Sequence, residues 1–329
     1  MNRDDENNER LLQEGLAFDQ QIDERIAHGH IPDLRRTKPC DYFYNNSWRR
    51  PGYVQLDFYE QFTLIRDAIS AGMSRKPQEI RVLEVGCGPG YLSLELARAG
   101  FQVTGLDLSE RCIQIASKFA DEDPWISERG ILRYIAGDYY TCDRLDIGSY
   151  DVVVFLGALH HFQDQSKVLQ RSRDLLKTGG LIVAHEPARD RITRGNAAFA
   201  HLLSTILSLN NNFYTEQALL ARRSELLDKV ENVFSALRYE NDSGEKTQSI
   251  NDNDAGYAEM YPELRSTFEQ IRFEWRYSFF HEFIGGLRFD EEKNLQVAEF
   301  LKEMDRILVE TEVLQGTEFF FVGRKEVKL

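Results

Sequence analysis

The twelve residues from Val82 to Ser93 read Val-Leu-Glu-Val-Gly-Cys-Gly-Pro-Gly-Tyr-Leu-Ser, and no other stretch of the chain restricts its fold as much. Val82, Leu83 and Val85 suit a strand covered on both faces. The alternating Gly86, Gly88 and Gly90 let the backbone pass close beneath a ligand where a Cβ would collide. Pro89 is tolerated in the first turn of a helix, so a helix is predicted to start there and continue through Leu92, Leu94, Leu96 and Ala97. A strand, a glycine turn and a helix in this order place a nucleotide-type cofactor at the turn.

The motif departs from the dinucleotide fingerprint in a way that narrows the ligand. That fingerprint needs a glycine or alanine at its sixth position, where the helix packs closely and meets a pyrophosphate; here the position holds Tyr91. A phosphate loop of the Gly-Lys-Ser/Thr kind is also absent. What remains is Glu-x-Gly-x-Gly-x-Gly, with Glu84 two residues before the first glycine, a pattern suited to a cationic ligand without phosphates. S-adenosylmethionine, with its sulfonium and ammonium, is such a ligand. At this point the chain resembles the class I S-adenosylmethionine-dependent methyltransferases of the small-molecule type.

Further strands extend the resemblance in order. Gln102 to Asp107 ends in a carboxylate about 20 residues beyond the glycines, the spacing at which an acidic residue meets ribose hydroxyls. Asp107 is the ribose candidate, although its carboxylate could equally cap the helix starting near Ser109. A third strand, Leu132 to Gly137, runs into Asp138 and Tyr139, which the resemblance places against adenine. The fourth, Asp151 to Leu156, leads into Gly157-Ala158-Leu159-His160-His161-Phe162, and the fifth covers Gly180 to Glu186. The resemblance spans Ile80 to Glu186 and implies a cofactor wall of Glu84, Gly86, Cys87, Gly88, Gly90, Asp107, Leu108, Asp138, Tyr139 and Leu156. Cys87 is explained as a small side chain in a tight loop and is not expected to be a nucleophile. The implied fold is α/β: a Rossmann-like, seven-stranded, mostly parallel sheet with a helical N-terminal cap and a C-terminal lid insertion.

Charge limits the partners. A formal net charge of −14 over 329 residues argues against a nucleic-acid backbone, which is usually met by a basic surface. Arg35-Arg36 and Arg49-Arg50 are too short to form one. The polar N-terminus lacks the apolar run of a secretory signal, and Ala197 to Leu209, the longest mostly apolar segment, falls short of the roughly 20 residues of a membrane span. No membrane partner and a cytoplasmic location are expected. The cysteines, Cys40, Cys87, Cys112 and Cys142, show no metal-ligand spacing, so no metal is expected. The sequence leaves open whether copies associate into a homo-oligomer.

Four regions are predicted: an N-terminal helical and aromatic cap over 1–76, the cofactor-binding core over 77–187, a helical lid over 188–315, and a last core strand over 316–329. Amphipathic helices are expected over 9–28 and 56–69 in the cap, and over 197–209, 215–229 and 291–311 in the lid. A polar loop is expected over 241–256, and Arg272 to Phe279 alternates like a strand, although a helix is not excluded. Between the cap helices, Tyr42, Tyr44, Trp48, Arg49 and Tyr53 stand in a segment too aromatic for a linker. They are candidates for closing over cofactor or substrate; the competing expectation makes them core that anchors the cap.

The expected activity is methyl transfer from S-adenosylmethionine to N or O of a small molecule enclosed by cap and lid. His160 and His161, after the fourth strand, and Glu186, at the end of the fifth, are the candidate proton acceptors at the ligand-binding edge. Two alternatives stay open. The cofactor itself is cyclised or eliminated with release of methylthioadenosine, or the chain is a non-catalytic, cofactor-binding scaffold.

Overall fold

The computed structural model describes residues 3–240, 249 and 251–326, with side chains from residue 9 onward. The strand of the glycine motif, β1 (Arg81–Val85), sits at the middle of a seven-stranded sheet of order β3-β2-β1-β4-β5-β7-β6. Its partners are β2 (Gln102–Asp107), β3 (Leu132–Ala136), β4 (Tyr150–Leu156), β5 (Leu176–Pro187), β6 (Glu269–Trp275) and β7 (Glu318–Arg324). β1 to β5 pair in parallel, while β7 runs antiparallel to both β5 and β6. The chain first travels outward from β1 to β3 and then restarts on the other side at β4, so the carboxyl ends of β1 and β4 flank a crevice where ligands of such sheets bind.

The central strands are apolar on both faces because helices cover both. Val82, Leu83, Val152, Val153, Val154, Ile182 and Val183 are each 0 % exposed, as are Phe319, Phe320 and Phe321 of β7. The covering helices include α3 (Phe58–Gly72), α4 (Tyr91–Arg98), α5 (Glu110–Asp121) and α6 (Gln165–Leu175); ahead of them come α1 (Arg3–Ala27) and the short α2 (Pro51–Leu56). The lid region contributes α7 (Arg194–Ser208), α8 (Arg223–Leu237), α9 (Tyr257–Thr267), α10 (Phe280–Ile284) and α11 (Glu291–Glu310). No helix among the described residues is long and apolar enough to cross a membrane.

Most expected elements are found within a few residues, and two differ. The helix expected over 215–229 is α8 and starts only at Arg223, with Val233 and Leu237 packed against the apolar cluster that also holds Leu203 and Leu207 of α7. Tertiary contact, not the local apolar spacing, sets that helix's position. The alternating segment near Arg272 is a strand, but it spans Glu269–Trp275. Of the expected loop, residues 241–248 and 250 lie outside the described residues.

Two buried ionic nodes fasten the N-terminal region and the lid to the sheet. Arg98 on α4, its side chain 1 % exposed, reaches Asp33 at 2.7 Å, Glu95 at 2.6 Å and Asp123 at 2.9 Å. His281 on α10 lies between Asp57 Oδ1 at 2.9 Å and Glu318 Oε1 at 3.0 Å. Burial works against its charge, yet the two carboxylates hold the imidazole well above the ordinary histidine range.

Candidate functional site

A cavity of about 1310 Å³ opens at the carboxyl ends of β1, β2 and β4, the side of the sheet that the strand order singles out. Val85, Gly86, Gly88 and Pro89 form its floor at the glycine turn, and Asp107 and Leu108 line it at the end of β2. Gly86 and Gly88 both have positive φ, +71° and +50°, which side chains rarely adopt. At Gly88 an added Cβ would meet nothing within 4 Å, so this turn presents bare backbone to open space. Gly90, at φ +84°, has a different reason to be glycine: its Cβ would lie 2.5 Å from Tyr134 Oη and 2.7 Å from Ala116 Cβ.

Asp107 performs two jobs. Its Oδ2 accepts the Gly88 N–H at 2.7 Å and its Oδ1 accepts the Ser109 N–H at 2.9 Å, so the carboxylate holds the glycine turn against the start of α5. Burial raises its pKa, and the residue remains on the cavity wall. Asp138 and Tyr139 also line the cavity. Asp138 is tied into its own turn by Tyr140 N–H at 3.1 Å and Thr141 Oγ1 at 2.9 Å, and the Tyr139 hydroxyl meets Ser172 Oγ at 2.9 Å.

The structure does not bring every expected residue to this cavity. Glu84 points away from it, because successive strand residues face opposite sides and Val85 takes the cavity side. Ser93 on α4 donates to its Oε2, and burial pushes the Glu84 carboxyl up to about 8. Cys87 is buried beneath the turn with its thiol pushed far up by burial, and Leu156 packs with the apolar cluster behind β4; neither lines the cavity, nor does Gly90.

The aromatic segment 42–53 is likewise elsewhere. Trp48 is 6 % exposed and stacks on Phe58 at 4.9 Å, with its edge toward Tyr91 and His30. Tyr42 stacks on His28, Tyr44 lies exposed beside Tyr214, and Tyr53 is buried with the α10 and α11 cluster. Arg49 donates to the Leu287 carbonyl at 3.0 Å and lies 3.6 Å from Asp41. Packing against neighbours absorbs Tyr42, Trp48, Arg49 and Tyr53, as the core-anchor expectation has it, whereas Tyr44 stays exposed at the surface.

What covers the cavity is α1, whose residues Arg10, Leu11, Glu14, Phe18, Gln21, Ile22 and Arg25 face it. Arg10 pairs with Asp254 at 2.8 Å, and Asp19 accepts from Ser109 Oγ at 2.5 Å, so the helix is fixed at both rims. The sequence shows α1 to be amphipathic, but its partners lie far away in the chain and leave no local mark.

The proton-acceptor candidates separate clearly. Glu186 is 1 % exposed and is consumed by backbone: its Oε1 accepts the Ala158 and Leu159 N–H groups at 3.0 and 2.9 Å, and its Oε2 meets His160 Nδ1 at 2.8 Å. His160 is buried, and burial together with neighbouring His161 lowers its pKa despite Glu186. Of the three, only His161 lines the cavity. Its Nδ1 stands 2.9 Å from Glu14 Oε1, and Phe18 presents an edge-on ring at 5.6 Å. Glu14, missed in the sequence, also accepts Ser249 Oγ at 2.9 Å and the Asn251 N–H at 3.1 Å.

With this geometry in place, similarity to known proteins is informative. A family model described as a methyltransferase domain matches residues 58–237, more than half of the chain. The ubiquinone biosynthesis O-methyltransferase of Shewanella halifaxensis is 35 % identical over 117 residues, covering 35 % of this chain and 45 % of that protein. The enzyme of the same name from Shewanella pealeana is 31 % identical over 155 residues, covering 46 % and 62 %. The chain thus spans about half the length of the curated relatives it matches. Among solved structures, the geranyl diphosphate C-methyltransferase from Streptomyces coelicolor A3(2) superposes with a TM-score of 0.47 at 10 % identity, over 83 % of this chain and 82 % of that one.

Proposed function

The chain belongs to the class I S-adenosylmethionine-dependent methyltransferase family, and on that premise we propose that it transfers the methyl group to a hydroxyl oxygen of a small molecule held between the glycine turn and α1. The observation that carries this reading is the single cavity, which joins Gly86, Gly88 and Asp107 to His161. Its volume of about 1310 Å³ exceeds the about 300–1,000 Å³ typical of a pocket for one small ligand. There is room for cofactor and acceptor side by side. The same room, with the aromatic segment packed elsewhere, removes the support for a reading in which the cofactor is its own substrate.

S-adenosylmethionine fits the residues present, since Gly88 exposes bare backbone to the cavity and Asp107 offers a carboxylate beside it. When bound, the cofactor supplies an activated methyl group. Asp107 would hold the ribose hydroxyls, while Asp138 and Tyr139, on the same cavity wall, would flank the base. The protein's work is then alignment and exclusion of water, effects worth several kcal/mol. α1 forms the roof, and His161 is the polar side chain beside the acceptor. Methyl transfer to the acceptor oxygen would convert the sulfonium to a neutral thioether, and the hydroxyl proton would pass to His161 at the wall or to water. The choice of oxygen follows the relatives, which are O-methyltransferases.

The test is incubation of purified protein with methyl-labelled S-adenosylmethionine and separate panels of phenols, catechols and amines. Label recovered in a methyl ether is expected. Methylthioadenosine released without any acceptor, or label found only on amines, overturns the reading.

A further inference from the structure

His160, His161 and Asp252 each bring one donor atom to a common point, all within 4.8 Å of one another. The geometry points to a binding site for a divalent transition-metal ion at this point, on the wall of the proposed methyl-transfer cavity. His160 is already oriented as a metal-bound imidazole is. His160 Nδ1 meets Glu186 at 2.8 Å, which leaves Nε2 directed at Asp252 Oδ1, 3.7 Å away. His161 Nδ1 stands 2.9 Å from Glu14, and the two rings lie with centroids 4.2 Å apart. The Glu186 carboxylate behind His160 is the usual outer support of a metal-bound imidazole, because it fixes the tautomer and ring orientation, and the Glu14 carboxylate lies against His161.

Asp252 supplies the independent sign. It is 2 % exposed, and its Oδ2 takes no hydrogen bond among the described residues. An unsatisfied buried carboxylate oxygen carries a desolvation penalty that a cation would remove. Two imidazoles and one carboxylate suit zinc, cobalt, manganese or ferrous iron better than magnesium or calcium, which prefer all-oxygen shells. Tetrahedral ligands at zinc distances stand about 3.4 Å apart, so the group has to contract by roughly 1 Å around an ion. Of the three ligands, His161 lines the cavity, so an ion held there would lie at the cavity wall. An ion there would bind the acceptor oxygen and ease loss of its proton to water. That role rests on the function proposed above, whereas the site itself rests on the side chains alone. The chain gives no local hint of it, because the third ligand comes from the lid.

The experiment is a titration of the chelator-treated full chain with Co²⁺, followed by visible absorption, then displacement by Zn²⁺, with S-adenosylmethionine binding measured calorimetrically on the same samples. One Co²⁺ per chain is expected. Asp252→Asn should weaken binding at least about tenfold, and Glu14→Gln, which removes an outer carboxylate, by about 10–100-fold. Should Asp252→Asn fail to fold by circular dichroism, His161→Gln carries the same expectation. No stoichiometric Co²⁺ binding, or binding undiminished in the folded variants, overturns the site. Because cofactor binding is read separately, failure of the metal site and failure of the methyltransferase reading give different results.

Discussion

Arg98 and the His160–His161 pair each gather several carboxylates across a join between the N-terminal region and the core, yet they are finished differently. Arg98 is surrounded by Asp33, Glu95 and Asp123, and Arg35 and Arg129 approach the same carboxylates; Asp123 Oδ2 takes no hydrogen bond among the described residues, but none of these groups lines the cavity. The histidine node ends in a buried Asp252 oxygen with no hydrogen bond among the described residues, and one of its rings faces the cavity. Buried charge gathered away from any opening acts as scaffolding; the same kind of charge beside a cavity is where a ligand would be stabilised.

The sharpest way to break the comparison is Arg98→Met, which takes the shared guanidinium from three buried carboxylates. Removing one side of a buried ionic group costs about 3–5 kcal/mol, so chemical denaturation should show a loss of that size, with any residual folded protein still binding S-adenosylmethionine. A loss below about 1 kcal/mol would mean that the node is not holding the N-terminal region. Trp48→Ala comes next, at about 3 kcal/mol for a large aromatic removed from a packed cluster, with cofactor affinity unchanged. Weakened cofactor binding in a fully stable Trp48→Ala protein would return the aromatic segment to the site. Asp107→Ala should do the reverse of Arg98→Met. With hydrogen bonds to charged groups worth about 1.5–3 kcal/mol, cofactor affinity should fall at least about tenfold by calorimetry.

The His281 node makes the smallest and most conditional prediction. Its imidazole pKa is raised on folding, so its pairing stabilises fully below the ordinary histidine value and is lost as pH rises through the folded-state value. Asp57 and Glu318, buried but held low by His281, contribute the opposite limb, which is lost as pH falls through their folded-state values. The stability difference between wild type and His281→Gln should therefore be greatest near neutrality and shrink toward alkaline pH. A difference that stays constant from neutral to alkaline pH would mean that His281 is not charged in the folded protein.

The sheet and the glycine turn were legible because their causes are local. Strand burial, positive-φ glycines and the strand-end position of Asp107 follow from residues adjacent in the chain. Glu84 sits apart from the cavity because strand alternation directs it to Ser93, which the sequence of the glycine motif does not reveal. For Tyr42, Tyr44, Trp48, Arg49 and Tyr53 the sequence left two expectations open because aromatic density does not reveal which surface it will cover. Glu14 and Asp252 could not be found at all, since each acquires its meaning only when α1 and the lid meet the end of β4.

β7 is synthesised after β6, yet it lies between β6 and β5 and bonds to both. A nascent chain that has already emitted the lid has no template on which to seat β6, and β5 presents an open edge rich in apolar residues. Lid and sheet are thus committed late and together, in a closing step like the last tooth of a zip. During translation, the interval before Phe319, Phe320 and Phe321 emerge is when this protein is most exposed to mispairing and aggregation.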